Sequence, residues 1–331
     1  MEKEYKYMVC TRCSTFNHAP FIVDTMNGFT MQETTFPVVS LIIDDASTDG
    51  EPEIIKQYLK DYFLNPYREE ETDDYCMICA KHKSNLNCTF IVFLLKYNHY
   101  SIKKSKLPYL SEWLDNSKYH ALCEGDDYWI HPNKLQIQVF FLESHPNISY
   151  TCTRYKTYIE KTGETYLNKN DVFDSTNGLH KDYYEFTLKD AFTGSWITKT
   201  LTCLYPRRYY DSVFMRKFKY SRDVHLVYSL LSKGNGVCFG MVSSVYRLNE
   251  NSTFGGKSRI EQNRQNYLVY EELYAHTKDD IIKKLAARFY IQLFKMRVDS
   301  YKYPKNRLQF YALFVFLPIS KIAHLRSYIN K

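Results

Sequence analysis

A chain of 331 residues with 44% apolar content is long enough for one large α/β domain or two smaller ones. Its formal charge of +7 is scattered along the chain, which suits an anionic ligand or an anionic membrane surface and is too mild to indicate nucleic acid. An odd number of cysteines, nine, and a first stretch, Met1 to Lys6, without an apolar signal core predict reduced thiols in a cytosol.

In chain order, residues 7–11 read as a first strand, residues 12–20 as the polar loop leaving it, and residues 21–29 as a helix carrying Phe21, Ile22, Thr25, Met26 and Phe29 on one face. The unbroken β-branched and apolar run 38–43 is a central strand that ends in Asp44, Asp45, Ala46, Ser47, Thr48, Asp49 and Gly50. Ile54, Ile55, Tyr58, Leu59 and Tyr62 then fall at helical spacing, with Ser47 or Thr48 as the expected cap. Residues 64–88 read as an irregular insertion whose Glu69, Glu70, Glu71, Asp73 and Asp74 form a solvated acidic run. Residues 89–95 are a third strand, followed by Lys103, Lys104 and Lys106, which either bind a diphosphate by charge or are solvated at a helix start. A helix over 108–117 leads to a fourth strand, 119–123, and to Glu124, Gly125, Asp126, Asp127, Tyr128 and Trp129.

Two strands therefore end in acidic pairs, Asp44-Asp45 and Asp126-Asp127. Adjacent carboxylates repel and lose hydration at a sheet edge, so they persist where a cation neutralises them. Mg²⁺ or Mn²⁺, hard ions that take carboxylate oxygen and also hold a diphosphate, are the natural candidates; a solvated acidic turn is the alternative. In an open α/β sheet ligands sit beyond the carboxyl ends of strands where strand order reverses, so both pairs are expected at one crevice.

Beyond Trp129, a helix with Leu135, Val139 and Leu142 on one face stops at His145-Pro146, and residues 149–159 read as a strand turning back at Thr162-Gly163. The pattern then becomes mixed. The last eighty residues are helical and rich in Tyr, Phe, Lys and Arg; the apolar run 310–317 is too short to span a bilayer. Arg307, Lys321 and Arg326 around it suit a peripheral membrane contact, and packing of this helix on the catalytic domain is the equal alternative. The C-x-x-C spacings at Cys10/Cys13 and Cys76/Cys79 raise a zinc site, but the stretch between them is long for a zinc ribbon and small buried hydrophobes is the better reading.

Residues 9–249 resemble the family-two glycosyltransferases of the GT-A fold, in particular short bacterial enzymes that modify surface polysaccharide. The resemblance rests on Ser14-Thr15-Phe16-Asn17, on the second-strand signature from Ile42 to Gly50, and on Glu124-Gly125-Asp126-Asp127-Tyr128-Trp129 followed by Lys134-Leu135-Gln136. It implies an α/β, Rossmann-like, mixed and mainly parallel sheet flanked by helices. The domain would span residues 1–250, with a nucleotide-sugar half to about 130, an acceptor half after it, and a helical extension over 251–331. It implies a metal-dependent, inverting transfer from a nucleotide-diphosphate sugar, most simply a UDP-sugar, to a glycan or lipid-linked acceptor, with Mn²⁺ or Mg²⁺ as cofactor. Ser14, Phe16, Asn17, Asp45, Lys104 and Asp126 are the expected donor contacts, Asp45 accepting from the nucleobase with Phe16 near the base face. Asp127, with Asp126, is expected to hold the ion, and Glu124 stands where relatives often have Asp. Asp223 is the expected base, with His225 the alternative; Arg222 replaces the acidic partner common in relatives. Trp196 and Arg222 are the candidate acceptor contacts, Trp196 being equally readable as core. The non-matching classes are a non-catalytic nucleotide-sugar-binding subunit, supported by Arg222 alone, and a nucleotidyltransferase, for which no glycine-rich basic loop follows the first strand.

Overall fold

The computed structural model describes residues 4–169, 173, 182–193, 199–219, 222–249, 257–301 and 304–317. The chain divides into two compact units. The first comprises Met1–Thr187, Ile197–Tyr210 and Leu230–Leu248, and the second Leu188–Trp196, Asp211–Ser229 and Asn249–Lys331. The second unit thus takes in, besides the residues after 250, two segments from before it, one of them carrying Asp223.

In the first unit the strands are β1 (Tyr7–Thr15), β2 (Val38–Asp44), β3 (Arg68–Glu71), β4 (Tyr75–Lys81), β5 (Cys88–Leu95), β6 (Ser117–Leu122), β7 (Tyr128–Trp129), β8 (Ile148–Ile159), β9 (Glu164–Leu167), β10 (Tyr183–Phe186), β11 (Leu204–Pro206) and β12 (Asn235–Leu248). Among the described residues they form one mixed sheet in the order β10-β12-β8-β11-β6-β1-β2-β5-β4-β3, with β7 beside β12 and β9 beside β8. Its centre, β5-β2-β1-β6, is parallel. From β1 the chain steps to β2 and β5 on one side and then returns to β6 on the other. The order therefore reverses at β1, and the carboxyl ends of all four strands share one edge.

Strict alternation along these strands fills both faces. Val9, Cys13, Ile42, Phe90 and Val92 enter one core with Ile22, Met26 and Phe29 of α1 (Ile22–Thr30), Ile55 and Leu59 of α2 (Glu51–Tyr62) and Leu135 and Val139 of α4 (Lys134–Ser144). Cys10, Val39, Leu41, Ile43, Ile91 and Phe93 enter the other with Leu110, Trp113 and Leu114 of α3 (Leu107–Asp115). Each fully buried Leu, Ile or Phe contributes ~1.5–3 kcal/mol, which is why the central runs are apolar without interruption. The alternation also puts Cys10 and Cys13 on opposite faces.

Three local expectations change. β1 runs to Thr15, so Arg12 to Thr15 belong to the strand rather than to the loop. The helix over 51–62 is entered through Gly50 at φ 91, with no side-chain cap from Ser47 or Thr48, because both residues are used to tie two loops together. The stretch 64–88 is not an irregular solvated insertion but a β3–β4 hairpin added antiparallel to β5. Its Met77, Cys79 and Ala80 reach the core, while Glu70 and Glu71 pair with Arg68 and Lys96.

The second unit is helical among its described residues: α5 (Leu188–Thr193), α6 (Ser212–Met215), α7 (Asp223–Leu231, its last two residues in the first unit), α8 (Arg259–Thr277), α9 (Asp280–Lys295) and α10 (Arg307–Phe316). Ser258 and Glu261 form a capping box at α8, and Asp279 and Asn306 cap α9 and α10 by accepting from Ile281 N and Gln309 N. Tyr267, Tyr290 and Tyr301 interlock in its core. No helix among the described residues is long and apolar enough to cross a membrane.

Candidate active site

The carboxyl edge of β1, β2, β5 and β6 gathers the polar motifs. The loops after β1 and β2 are knitted by Asn17, whose N–H donates to Ser47 Oγ (2.8 Å) and whose Oδ1 accepts from Thr48 N–H (2.8 Å). Asn17 takes φ 55 for this, a conformation Asn tolerates better than most residues. Glu51, fully buried, accepts from Thr15 Oγ1, His18 N–H (2.8 Å) and Ser47 Oγ (2.9 Å). Phe16 remains 43% exposed and Ser14 exposed at this edge.

Asp45 is 2% exposed, and its two oxygens are already engaged. Oδ1 accepts from His99 N–H (2.8 Å), Oδ2 from Tyr100 N–H (3.1 Å), and Lys106 Nζ lies 2.8 Å from Oδ2. Lys106, not Lys104, is therefore the lysine aimed at the second-strand signature. Lys104 is held by Asp74 (2.7 Å) and by the Tyr97 hydroxyl (2.6 Å). Asp44 differs again: Oδ2 accepts from Ser47 N–H (3.2 Å), Oδ1 is buried without a partner, and burial pushes its pKa up to about 6 against the Ser47 hydrogen bonds.

After β6 the chain makes the carboxylate turn. Gly125 N–H donates to Ser14 O (3.2 Å), and a Cβ at Gly125 would collide with Thr15 Oγ1, so this close approach requires glycine. Thr25 Oγ1 on α1 reaches the carbonyls of Gly125 (3.1 Å) and Asp127 (2.6 Å) and fixes the turn from below. Asp127 is 3% exposed; Oδ1 accepts from Arg247 N–H (2.8 Å). Burial holds its pKa well above the usual carboxylate range, the charges of Asp126 and Glu124 add to this, and Lys199 offsets part of it. Asp126 is half-buried, Glu124 is exposed, and Thr200 Oγ1 lies 3.3 Å from Glu124 Oε2.

Arg247, near the end of β12, is the residue of this turn's surroundings that motif reading did not assign to the site. Its Nε donates to Asp126 O (3.0 Å), its Nη2 pairs with Asp24 (2.7 Å), and its guanidinium lies over Phe21, Tyr128 and Tyr158. The signal was present: one arginine as the only charged residue of a long strand, with nothing on that strand to neutralise it. Beneath the turn, buried Lys134 sits 4.3 Å above the Trp129 ring and donates to Gln138, and burial lowers its pKa to about 8. Trp129 Nε1 and Gln138 Nε2 hold the carbonyls of Leu201 (2.7 Å) and Thr202 (3.0 Å).

Among the described residues no cluster of three or more His, Cys, Asp or Glu is placed to hold a metal by itself. The donor chemistry nonetheless fits a hard divalent cation bound together with a diphosphate, which needs only one or two protein carboxylates. Asp127, buried beside like charges, is the group such an ion would relieve, with half-buried Asp126 next to it.

In the second unit Asp223 opens α7, its Oδ1 accepting from Val224 N–H (2.9 Å). Arg222 Nη2 donates to Gln265 Oε1 (2.7 Å). His225, the alternative base, is buried; its Nδ1 accepts from Arg222 N–H (3.0 Å), it packs on Phe218, and burial lowers its pKa to about 4. Its ring is thus enclosed, with no exposure to solvent. Trp196 lies outside the described residues.

This sheet, with its central switch point, flanking helices and C-terminal helices, is the GT-A glycosyltransferase fold. It is similar to that of the mannosyltransferase PcManGT from Pyrobaculum calidifontis, solved in complex with GDP-Man and Mn²⁺. That match has a TM-score of 0.52 and 13% identity, and covers 98% of this chain and 80% of that one. S. aureus TarS 1-349 in complex with UDP-GlcNAc matches with a TM-score of 0.49 and 13% identity over 92% of this chain and 79% of that chain. Among curated sequences, the uncharacterized proteins Rv1520 of Mycobacterium tuberculosis (strain ATCC 25618 / H37Rv) and Mb1547 of Mycobacterium bovis are each 32% identical over 134 residues, 40% of this chain. The match spans 30% of the length of those relatives. No family model matches the chain.

Proposed function

We propose that the chain is a metal-dependent, inverting glycosyltransferase that moves a sugar from a nucleotide-diphosphate sugar, a UDP-sugar in the simplest case, to a hydroxyl of a glycan or lipid-linked acceptor of surface polysaccharide. The observation that carries this reading is the convergence at one sheet edge of two acidic pairs from the strands flanking β1: in one, Asp45 is paired with Lys106, and in the other, burial and the neighbouring carboxylates hold Asp127 toward its protonated form. The fold shared with sugar-nucleotide enzymes agrees with it.

In this reading Ser14, Phe16, Asn17 and Asp45 form the nucleoside side, with Phe16 offering an exposed ring for the base. Asp127 and Asp126 hold Mn²⁺ or Mg²⁺, which supplies charge stabilisation for the departing nucleoside diphosphate. The acceptor oxygen bonds to the anomeric carbon as the bond from that carbon to the diphosphate oxygen breaks, and the acceptor proton passes to Asp223. Arg222 and Trp196 are assigned to the acceptor.

The test is a screen of nucleotide sugars for Mn²⁺-dependent release of nucleoside diphosphate, with and without saccharide acceptors. One donor should be turned over, and Asp223→Asn should lower transfer by roughly 10²–10⁴-fold while donor binding persists. Donor binding without release in any condition contradicts the enzymatic reading.

A further inference from the structure

The β3–β4 hairpin reaches the donor loop most densely through one side chain, beside the Glu71–Lys96 ion pair and the Tyr75–Tyr109 ring contact. Asp74, in the turn between the two strands, accepts at Oδ2 from Lys104 Nζ (2.7 Å) and the Tyr109 hydroxyl (2.6 Å), and at Oδ1 from the Tyr97 hydroxyl. Its backbone carbonyl also accepts from Lys96 N–H (2.9 Å). Those partners run from Lys96, just after β5, to Tyr109 in the first turn of α3, 35 residues beyond Asp74. That density of contacts far exceeds what a solvated acidic turn makes, and it lowers the Asp74 pKa strongly, the Lys104 hydrogen bond first and the two tyrosines next.

The same segment carries the donors of Asp45. The Tyr97 ring stacks on the buried His99 ring at 4.7 Å and 13°. The His99 ring lies between the Tyr97 carbonyl (Nδ1, 2.8 Å) and the Tyr109 hydroxyl (Nε2, 3.2 Å). The carbonyl only accepts, and the Tyr109 hydroxyl has one proton, directed to Asp74 at the shorter distance, so both ring nitrogens of His99 face acceptors. With the ring fixed, the His99 and Tyr100 N–H groups point at Asp45 Oδ1 and Oδ2. Lys104 N–H closes the loop on His99 O (2.9 Å), and Lys103 takes φ 56 within it.

We propose that Asp74 is a positioning residue for nucleotide-sugar binding: from the hairpin it fixes Tyr97, Lys104 and Tyr109, and through His99 it sets the loop that holds Asp45. Asp74 itself touches no substrate. The hairpin is thereby part of the donor site, and Lys104 acts as a strut of that loop and not as a diphosphate ligand. This inference rests on the reading of the carboxyl edge as a nucleotide-sugar site.

Calorimetric titration of the whole chain with UDP and with GDP, in the presence of Mn²⁺, tests it. Asp74→Asn exchanges an acceptor oxygen for an amide facing donors, and nucleoside diphosphate should bind roughly ten- to a hundredfold more weakly, the scale of one or two lost hydrogen bonds to a charged group. Asp74→Glu should recover part of the affinity. Glu69→Gln, exposed on the same hairpin, should leave it unchanged. Tyr109→Phe should weaken binding in the wild-type background and have little further effect in Asp74→Asn, because both changes break one network. In turnover, the donor KM should rise with kcat nearly kept. If wild type binds neither nucleotide, the donor-site reading itself fails. If wild type binds and folded Asp74→Asn binds equally well, or if kcat falls and KM does not move, Asp74 has no positioning role.

Discussion

Two Asp-Asp pairs leave the strands on either side of β1, and they meet opposite fates. Asp45 is surrounded by donors from its own chain: two N–H groups and the Lys106 ammonium. Asp127, equally buried, has one N–H from Arg247, and its nearest charged neighbours in sequence are two more carboxylates. The difference lies in the loops that reach each strand end. β2 is flanked by the β5–α3 loop with its lysines, so its carboxylate is neutralised internally and acts as a structural anchor, beside what the proposed reading takes as the nucleoside side. The turn after β6 is pressed onto β1 by Gly125 and Thr25, and in the proposed reading its carboxylates are the ones an external cation would neutralise.

The largest effect that separates the two is expected at Asp127. Asp127→Asn keeps an acceptor for Arg247 N–H but removes the charge, so Mn²⁺-dependent nucleoside diphosphate release should fall by roughly 10²-fold or more. The melting temperature of the metal-free protein should hold or rise, since a buried like-charge repulsion is removed. A large loss of stability instead would mean that the Asp127 charge is compensated from within, like that of Asp45.

Asp45→Asn should behave in the reverse way. It leaves Lys106 without its buried partner and presents an amide to an N–H donor, for about 1–3 kcal/mol of lost stability in denaturant unfolding whether or not metal is present. Metal-independent loss is the signature of an anchor.

Asp44 gives a third, smaller contrast that pH reveals. Its proton is held to about pH 6 in the folded chain and released near 3.8 when unfolded. Between those values the folded state binds more protons, so Asp44 makes metal-free stability fall as pH rises from about 4 to about 6. Asp44→Asn should flatten that part of the stability profile by up to one proton's slope. Lys106→Met should have the smallest effect, about 1 kcal/mol, because His99 and Tyr100 N–H still serve Asp45.

Periodicity made the parallel centre legible: the uninterrupted runs of β2 and β5, the helical spacing of α1 and α2, and the two acidic strand ends all lie where their patterns put them. The hairpin was hidden because Arg68 to Glu71 and Asp73 to Asp74 read as a charge run, while β4 is covered on both faces, Met77 and Cys79 entering one core and Ala80 the other, and so shows no alternation. Which lysine faces Asp45 was not legible for a different reason. Lys104 and Lys106 are two residues apart, and only the left-handed turn at Lys103 and the Asp74 contacts decide which of them faces Asp45. Arg247 reaches Asp126 and Asp127 across 120 residues of sequence, a pairing set by sheet order and invisible to local spacing.

Everything in the proposed chemistry turns on Asp127 being a buried carboxyl group that would give up its proton to hold a divalent cation together with a nucleoside diphosphate. Titrating Mn²⁺ into the protein with and without UDP or GDP, for wild type and Asp127→Asn, tests this most directly. One nucleotide and the ion should each tighten the other's binding in wild type, and this coupling should disappear in Asp127→Asn. Ion and nucleotide binding independently of one another in wild type, or coupling that survives in Asp127→Asn, would contradict it.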